Sequence, residues 1–420
     1  MRFGTVRFAL PEFNLSKRLI SLLAFVALSA ITIFGQQREW TEQEQVDFLK
    51  KHWEAPIALQ GKPNADWSPQ EGSLAPGSCG SCHPVQFNDW KTSVHSHSVG
   101  PGLLGQTPTF LHEGPTTLQS CCLCHAPLAE QQEMISSGAK LRKNAHFDAT
   151  LQTKGLTCAA CHVRKNQRFG PPRRDGSLVS SKPPDQLSHG GATRTPAFER
   201  AEFCRGCHQF ESDGYALNGK LLENTYNEWE ISPYAAQGIQ CQQCHMPDRR
   251  HLWRGIHDAE MVKSGVKIEL QLSQQKYSPG DKVDATLTLT NSGVGHYFPT
   301  YVTPRILLRM EILDSNGQVL ADTIKEDIVA RQITLNLDRE IADTRIPPKG
   351  VHIFHYTSTV DRAGLSLHAE VIVYPDEFYT RFYEAKLAGR LSLIERRRLS
   401  HALEDSRKAV YKLFEREFPL

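Results

Sequence analysis

Five times along this chain, two cysteines separated by two residues are followed at once by a histidine. The motifs are Cys79-Gly-Ser-Cys82-His83, Cys121-Cys122-Leu123-Cys124-His125, Cys158-Ala-Ala-Cys161-His162, Cys204-Arg-Gly-Cys207-His208 and Cys241-Gln-Gln-Cys244-His245. Two thiols at this spacing add to the two vinyl groups of one porphyrin, and the next residue offers an imidazole to the iron. Five copies take up ten of the eleven cysteines. A disulfide framework gives no reason for a histidine after every second cysteine. Zinc sites usually combine two such pairs and set their histidine further away. The spacing therefore predicts five covalently attached haem c groups, with His83, His125, His162, His208 and His245 as proximal iron ligands. Cys122 is left over and reads as a small buried filler.

The bulk properties agree. A chain of 420 residues holds about two domains once its N-terminus is set aside. Its formal charge is +2, but residues 1–35 carry most of the positive excess through Arg2, Arg7, Lys17 and Arg18. Haem propionates make the remainder more acidic still, so the basic face that nucleic acid requires is not there. Residues 19–35 carry no charge and follow Lys17-Arg18. Residues 1–35 read as a signal peptide or an N-terminal membrane anchor, with the rest on the periplasmic or other extracytoplasmic side.

Residues 36–262 form the expected pentahaem domain. Thr41-Glu-Gln-Glu44 predicts a capped helix running toward His52. The motifs start 42, 37, 46 and 37 residues apart. That is too little chain to wrap each porphyrin alone, so haems must pack together and form the core, within a mainly helical and irregular polypeptide. Eight further histidines are candidate distal ligands: His95, His97, His112, His146, His189, His251, His257 and His296. One of His95 and His97 is expected to bind iron, and one of His251 and His257. Methionine is scarce, so bis-histidine ligation and low reduction potentials are expected for most of the haems.

Glu202-Phe-Cys-Arg-Gly-Cys-His208, Trp229-Glu-Ile-Ser-Pro-Tyr234 and Gly238-Ile-Gln-Cys-Gln-Gln-Cys-His-Met-Pro247 resemble the multihaem cytochromes of the cytochrome c-554 and hydroxylamine oxidoreductase superfamily. Trp90-Lys-Thr-Ser-Val-His95 is similar to a Trp-x-x-Ser-x-His segment that supplies a distal ligand in many of them. The resemblance covers roughly residues 75–260. It implies stacked and perpendicular haem pairs, electron transfer or small-nitrogen chemistry, the five proximal histidines above, and His95 as a distal ligand. There are departures as well. All five motifs end in histidine, so the lysine-ligated catalytic haem of pentahaem nitrite reductases is absent, and there are five motifs rather than the eight of hydroxylamine oxidoreductases.

Cysteine stops at residue 244 and the composition changes. Strand-like segments at 266–272, 281–291, 306–314, 333–338, 351–357 and 365–374 predict an antiparallel, immunoglobulin-like β-sandwich over 265–395. Apolar residues at 399, 403, 410, 413 and 414 predict a C-terminal helix within 396–420, packed on the sandwich. Gly293-Val-Gly-His-Tyr-Phe-Pro-Thr300 resembles a loop of β-domains attached to other multihaem cytochromes, and it implies that His296 reaches a haem.

The functional expectation is an electron carrier with no catalytic residue assigned. Its partners would be redox proteins, including a membrane quinol-oxidising or respiratory complex, in a homo- or hetero-oligomer, with no nucleic acid. The alternatives are an oxidoreductase acting on a small inorganic nitrogen compound, or a structural subunit of a larger cytochrome assembly.

Overall fold

The computed structural model describes residues 39–105, 115–137 and 140–420. The charge-free stretch at 19–35 and His112 lie outside the described residues. No helix among the described residues is long and apolar enough to cross a membrane.

The N-terminal part is built from short helices joined by irregular chain: α1 (Glu42–His52), α2 (Pro84–Lys91), α3 (Pro115–His125), α4 (Cys158–His162), α5 (Glu202–His208), α6 (Thr225–Glu230) and α7 (Cys241–His245). The predicted cap of α1 is present. The Thr41 hydroxyl accepts the Glu44 amide at 3.2 Å, and the Glu44 carboxylate accepts the Thr41 amide at 2.9 Å. This half has little apolar interior of its own. Its main cluster is Ile57, Leu128, Leu151, Ala159, Ala160 and Val163, with Trp53, Leu74 and Leu156 around it.

The chain then passes through α8 (Ala259–Gly265) into a β-domain: β1 (Val266–Leu272), β2 (Lys282–Asn291), β3 (Arg305–Leu313), β4 (Lys325–Val329), β5 (Arg331–Ile333), β6 (Glu340–Asp343), β7 (Val351–Thr359), β8 (Ser366–Tyr374) and β9 (Tyr411–Pro419). One antiparallel sheet has the order β7-β2-β1, a second has β4-β3-β8-β9, and β5 pairs with β6. The inner faces share one core. Val283, Ala285, Leu287 and Leu289 of β2 meet Ile306, Leu308, Met310 and Ile312 of β3 and Leu367, Ala369, Val371 and Val373 of β8. Their alternation is the period-2 signal of strands buried on one face.

Two readings need correction. The C-terminal helix expected over 396–420 forms only in its first part. A helix runs Leu393–Lys408 (α10), preceded by α9 (Glu377–Leu387), and the chain ends in β9, paired along β8. Tyr411, Leu413, Phe414 and Phe418 belong to that strand. A bulge in the β8–β9 register, between Val371 and Ile372, lets Leu413 and Phe414 both turn inward, which imitated helical spacing. The β-domain therefore extends past 395. Of the expected strand 333–338, only Ile333 lies in one. Leu337 takes a left-handed φ of 58°, and the Thr334 hydroxyl donates to the Asp338 carboxylate, closing the turn between β5 and β6.

The two halves are locked together. Arg331 is 1% exposed and donates to the Leu217, Lys220 and Leu221 carbonyls of the N-terminal part, and to Glu340 at 2.9 Å. Lys220 pairs with Glu340 at 2.7 Å and Asp343 at 2.6 Å, and Arg345 joins Asp343 to Glu228. Burial pushes the Asp343 carboxyl up, but Arg345 and Lys220 outweigh it and hold the group well below the usual range. A depressed folded value means the pair stabilises the fold above the unfolded pKa of about 3.9 and loses that effect as pH falls through the folded value. The thermal stability of the haem-loaded protein should therefore fall on acidification below about pH 4. Asp343→Asn should flatten that dependence, and an unchanged acid slope would remove this pair as its source.

Candidate metal centres

Four of the five motifs end a helix: α3, α4, α5 and α7 close on His125, His162, His208 and His245. In the first motif the His83 amide bonds back to the Cys79 carbonyl at 2.9 Å, which makes the same turn. Positions i, i+3 and i+4 share one helical face, so each turn presents two sulfurs and one imidazole to the same side. Sulfurs of different motifs are also neighbours. Cys79 interacts with Cys158, Cys124 with Cys207, and Cys204 with Cys241.

The imidazoles are oriented by what their Nδ1 atoms touch. Nδ1 of His125, His162 and His245 lies 2.8, 2.8 and 2.6 Å from the carbonyls of Ser98, Phe169 and Arg254. His251 and His296 do the same with Arg249 and Tyr297, at 3.1 and 2.8 Å. A donor N–H at Nδ1 fixes the tautomer and leaves Nε2 with a free lone pair, which is how iron-binding histidines are usually held. Burial lowers His162, His208 and His296 to about 4 and His95 to about 3, so all are neutral, the form that binds metal.

These rings then face each other in pairs. Ring centres of His162 and His251 are 6.1 Å apart, those of His95 and His208 6.2 Å, and those of His245 and His296 6.3 Å. Metal–imidazole bonds of about 2.0–2.1 Å place two trans rings roughly 6.3 Å apart between centres. Each pair has the separation needed to hold one iron between them.

The remaining candidates divide. His189 lies near His83 and its buried Nδ1 has no partner. His257 turns its Nε2 to both Asp376 oxygens, at 3.0 and 3.1 Å, while His251 faces the imidazole of His162. His97 and His146 are exposed and stack on no other ring among the described residues, so His95 is the member of its pair that turns inward. His52 spends its Nε2 on the Cys161 carbonyl at 2.8 Å, a structural role. Cys122 is 3% exposed and burial pushes its thiol up to about 11, which suits an inert filler.

Other features fit a haem. The N-terminal half lacks an apolar interior large enough for its length, which porphyrins would supply. Buried guanidinium atoms also lack partners: Arg164 Nη2 and Arg194 Nε. A buried cation needs an anion, and a haem propionate is one.

Comparison with known proteins points the same way. The family described as cytochrome c554 and c-prime matches residues 78–163 and again 157–246. A penta-heme cytochrome c552 from Thermochromatium tepidum shares 18% identity and a TM-score of 0.56, covering 84% of this chain and 100% of its own. Together with the five motifs, these findings support a multihaem c-type cytochrome. Two further likenesses, to the C-terminal domain of wzt (12% identity, TM-score 0.16, 26% of this chain and 60% of that one) and to Spo0M, a sporulation control protein from Bacillus subtilis (12%, 0.12, 26% and 42%), are too slight to bear on the fold. No curated protein sequence matches the chain.

Other side chains hold the candidate histidines in place. Ser98 accepts from His125 at its carbonyl, and its hydroxyl bonds to the His95 and His125 carbonyls at 2.9 and 2.7 Å. The Trp90 indole donates to Leu156 O at 2.8 Å, and the Leu156 amide returns to His95 O, so the Trp-x-x-Ser-x-His segment is a brace around His95. Asp89 takes both Arg250 nitrogens at 2.6 and 2.7 Å and the His251 amide at 3.0 Å. Glu228 accepts the Tyr297 amide and Arg345, holding the loop that carries His296. Sequence reasoning missed these partners because most of them lie 60 or more residues away.

Proposed function

We propose that the chain is an extracytoplasmic electron conduit carrying five covalently bound haem c groups, most of them held between two histidines. The observation that carries this reading is the set of three imidazole pairs at 6.1–6.3 Å with most of their Nδ1 atoms engaged. His162 with His251, His208 with His95, and His245 with His296 are the assigned ligand pairs, and His189 is assigned to His83. When bound, the haems supply one-electron redox chemistry, and this chain's residues position, bury and tune them.

Neighbouring cysteines support an order. The first motif adjoins the third, the fourth adjoins both the second and the fifth, and Cys161 interacts with Cys204 and Cys207. Trp253 lies 4.8 Å from the His95 ring and 5.1 Å from that of His251, packing the distal ligands of the third and fourth motifs together. The path therefore runs from the first motif through the third to the fourth, with the second and fifth as exits. Partners are redox proteins at its ends, among them a quinol-oxidising or respiratory complex of the membrane. The β-domain is an immunoglobulin-like module that both ligates and docks.

The second motif bears on the alternative, an oxidoreductase acting on a small inorganic nitrogen compound. Tyr379 interacts with Cys121 and Glu223 with Cys124, which puts a phenol and a carboxyl beside this motif. Haem quantitation and an EPR-monitored redox titration test both readings. Five covalent haems with only low-spin ferric signals are expected of the conduit. A high-spin component worth one haem that binds cyanide would favour the enzyme.

A further inference from the structure

The imidazole of His208 is anchored differently from those of the other motifs. His125, His162 and His245 each direct Nδ1 at a backbone carbonyl, whereas Nδ1 of His208 lies 2.6 Å from the phenol oxygen of Tyr301. The two rings are 6.4 Å apart and nearly parallel, at 26°. Tyr301 comes from the β-domain, five residues after His296, on the loop that Glu228 clamps through Tyr297 and Thr300. Its φ is +64°, a region that costs a bulky residue free energy and that the surrounding structure must enforce. Glu223 and Thr225 stand beside the phenol and interact with it. The result is a chain of side chains, His208–Tyr301–Glu223, reaching across 93 residues of sequence at its first link.

We propose that Tyr301 is a positioning residue for the iron held at His208, setting both the plane of that imidazole and the reduction potential of its haem. The inference rests on the assignment of His208 and His95 as one ligand pair. With Nε2 on iron, Nδ1 of His208 keeps its hydrogen and donates it to the Tyr301 oxygen. The Tyr301 hydroxyl then donates to the Glu223 carboxyl. Each bond draws hydrogen away from the imidazole and makes it a more basic ligand, which favours ferric over ferrous iron. A carbonyl accepts one hydrogen and ends the chain, while a phenol passes the effect to whatever stands behind it. By this route the β-domain touches two adjacent haems from one loop: His296 as a ligand at the fifth motif, and Tyr301 behind the ligand at the fourth.

Tyr301→Phe in the full haem-loaded chain keeps the ring and removes the oxygen. Spectroelectrochemical titration should show one midpoint potential moved upward with the others in place, and EPR should show one low-spin signal altered. Glu223→Gln should move the same couple in the same direction by less, and it reads the chain independently if the phenylalanine variant loses haem. Couples and signals identical to the parent protein in both variants would overturn the proposal, as would a uniform shift of every couple. Failure of the underlying ligand assignment looks different: the parent protein itself would then lack bis-imidazole low-spin signals.

Discussion

Replacing His296 with alanine is expected to turn one haem from low-spin to high-spin while leaving the number of covalently attached haems unchanged. Its Nδ1 is fixed by the Tyr297 carbonyl, its ring faces His245 at 6.3 Å and 11°, and burial keeps it neutral. With Cys241 and Cys244 making the thioether bonds, losing the far imidazole would open a coordination position without releasing the porphyrin. EPR should show a new high-spin component equal to one haem, and that haem should now bind cyanide. His251→Ala should do the same at the third motif. His257→Ala is the control, since Asp376 holds that ring, and it should leave the spectrum as it was. An unchanged spectrum in His296→Ala would remove the β-domain from the list of iron-binding parts.

The second large effect is on stability. Arg331→Ala should cost about 3 kcal/mol, read from chemical denaturation of the haem-loaded protein. The substitution strands the Leu217, Lys220 and Leu221 carbonyls at a buried contact and takes the guanidinium from Glu340, which is itself 5% exposed. Lys220 still reaches Glu340 at 2.7 Å, which keeps the cost below that of a wholly unpaired carboxylate. Arg331→Lys should recover little of the loss, because an ammonium cannot match a planar fork bonded to four oxygens. A cost under about 1 kcal/mol would mean that the halves are held by the His296 loop rather than by this cluster.

What was legible from sequence divides by range. The cysteine motifs, the Thr41 cap and the alternating strands depend on residues within one turn or one strand, so local pattern was enough for them. The tail at 410–419 was misread as helix because its apolar spacing suits either period locally. Only the open edge of β8 decides for a strand. Sequence confined the histidine candidates to a short list, and His95 and His296 were singled out through their loops. What separates His251 from His257 was beyond sequence, since His257 pairs with Asp376, 119 residues further on.

Composition and spacing by themselves determined that this chain binds haem c covalently through paired cysteines, that an imidazole stands beside each site, and that a β-domain follows. These are properties of short stretches, where chemistry needs residues at set intervals. Which imidazoles oppose one another, which sulfurs neighbour, and that Tyr301 stands behind His208 were decided only by the tertiary fold. The paired rings, about 6 Å apart, come from chain segments that sequence distance does not relate. Their meeting depends on helix packing, on carbonyls that aim each Nδ1, and on the salt-bridged contact that seats the β-domain against the first.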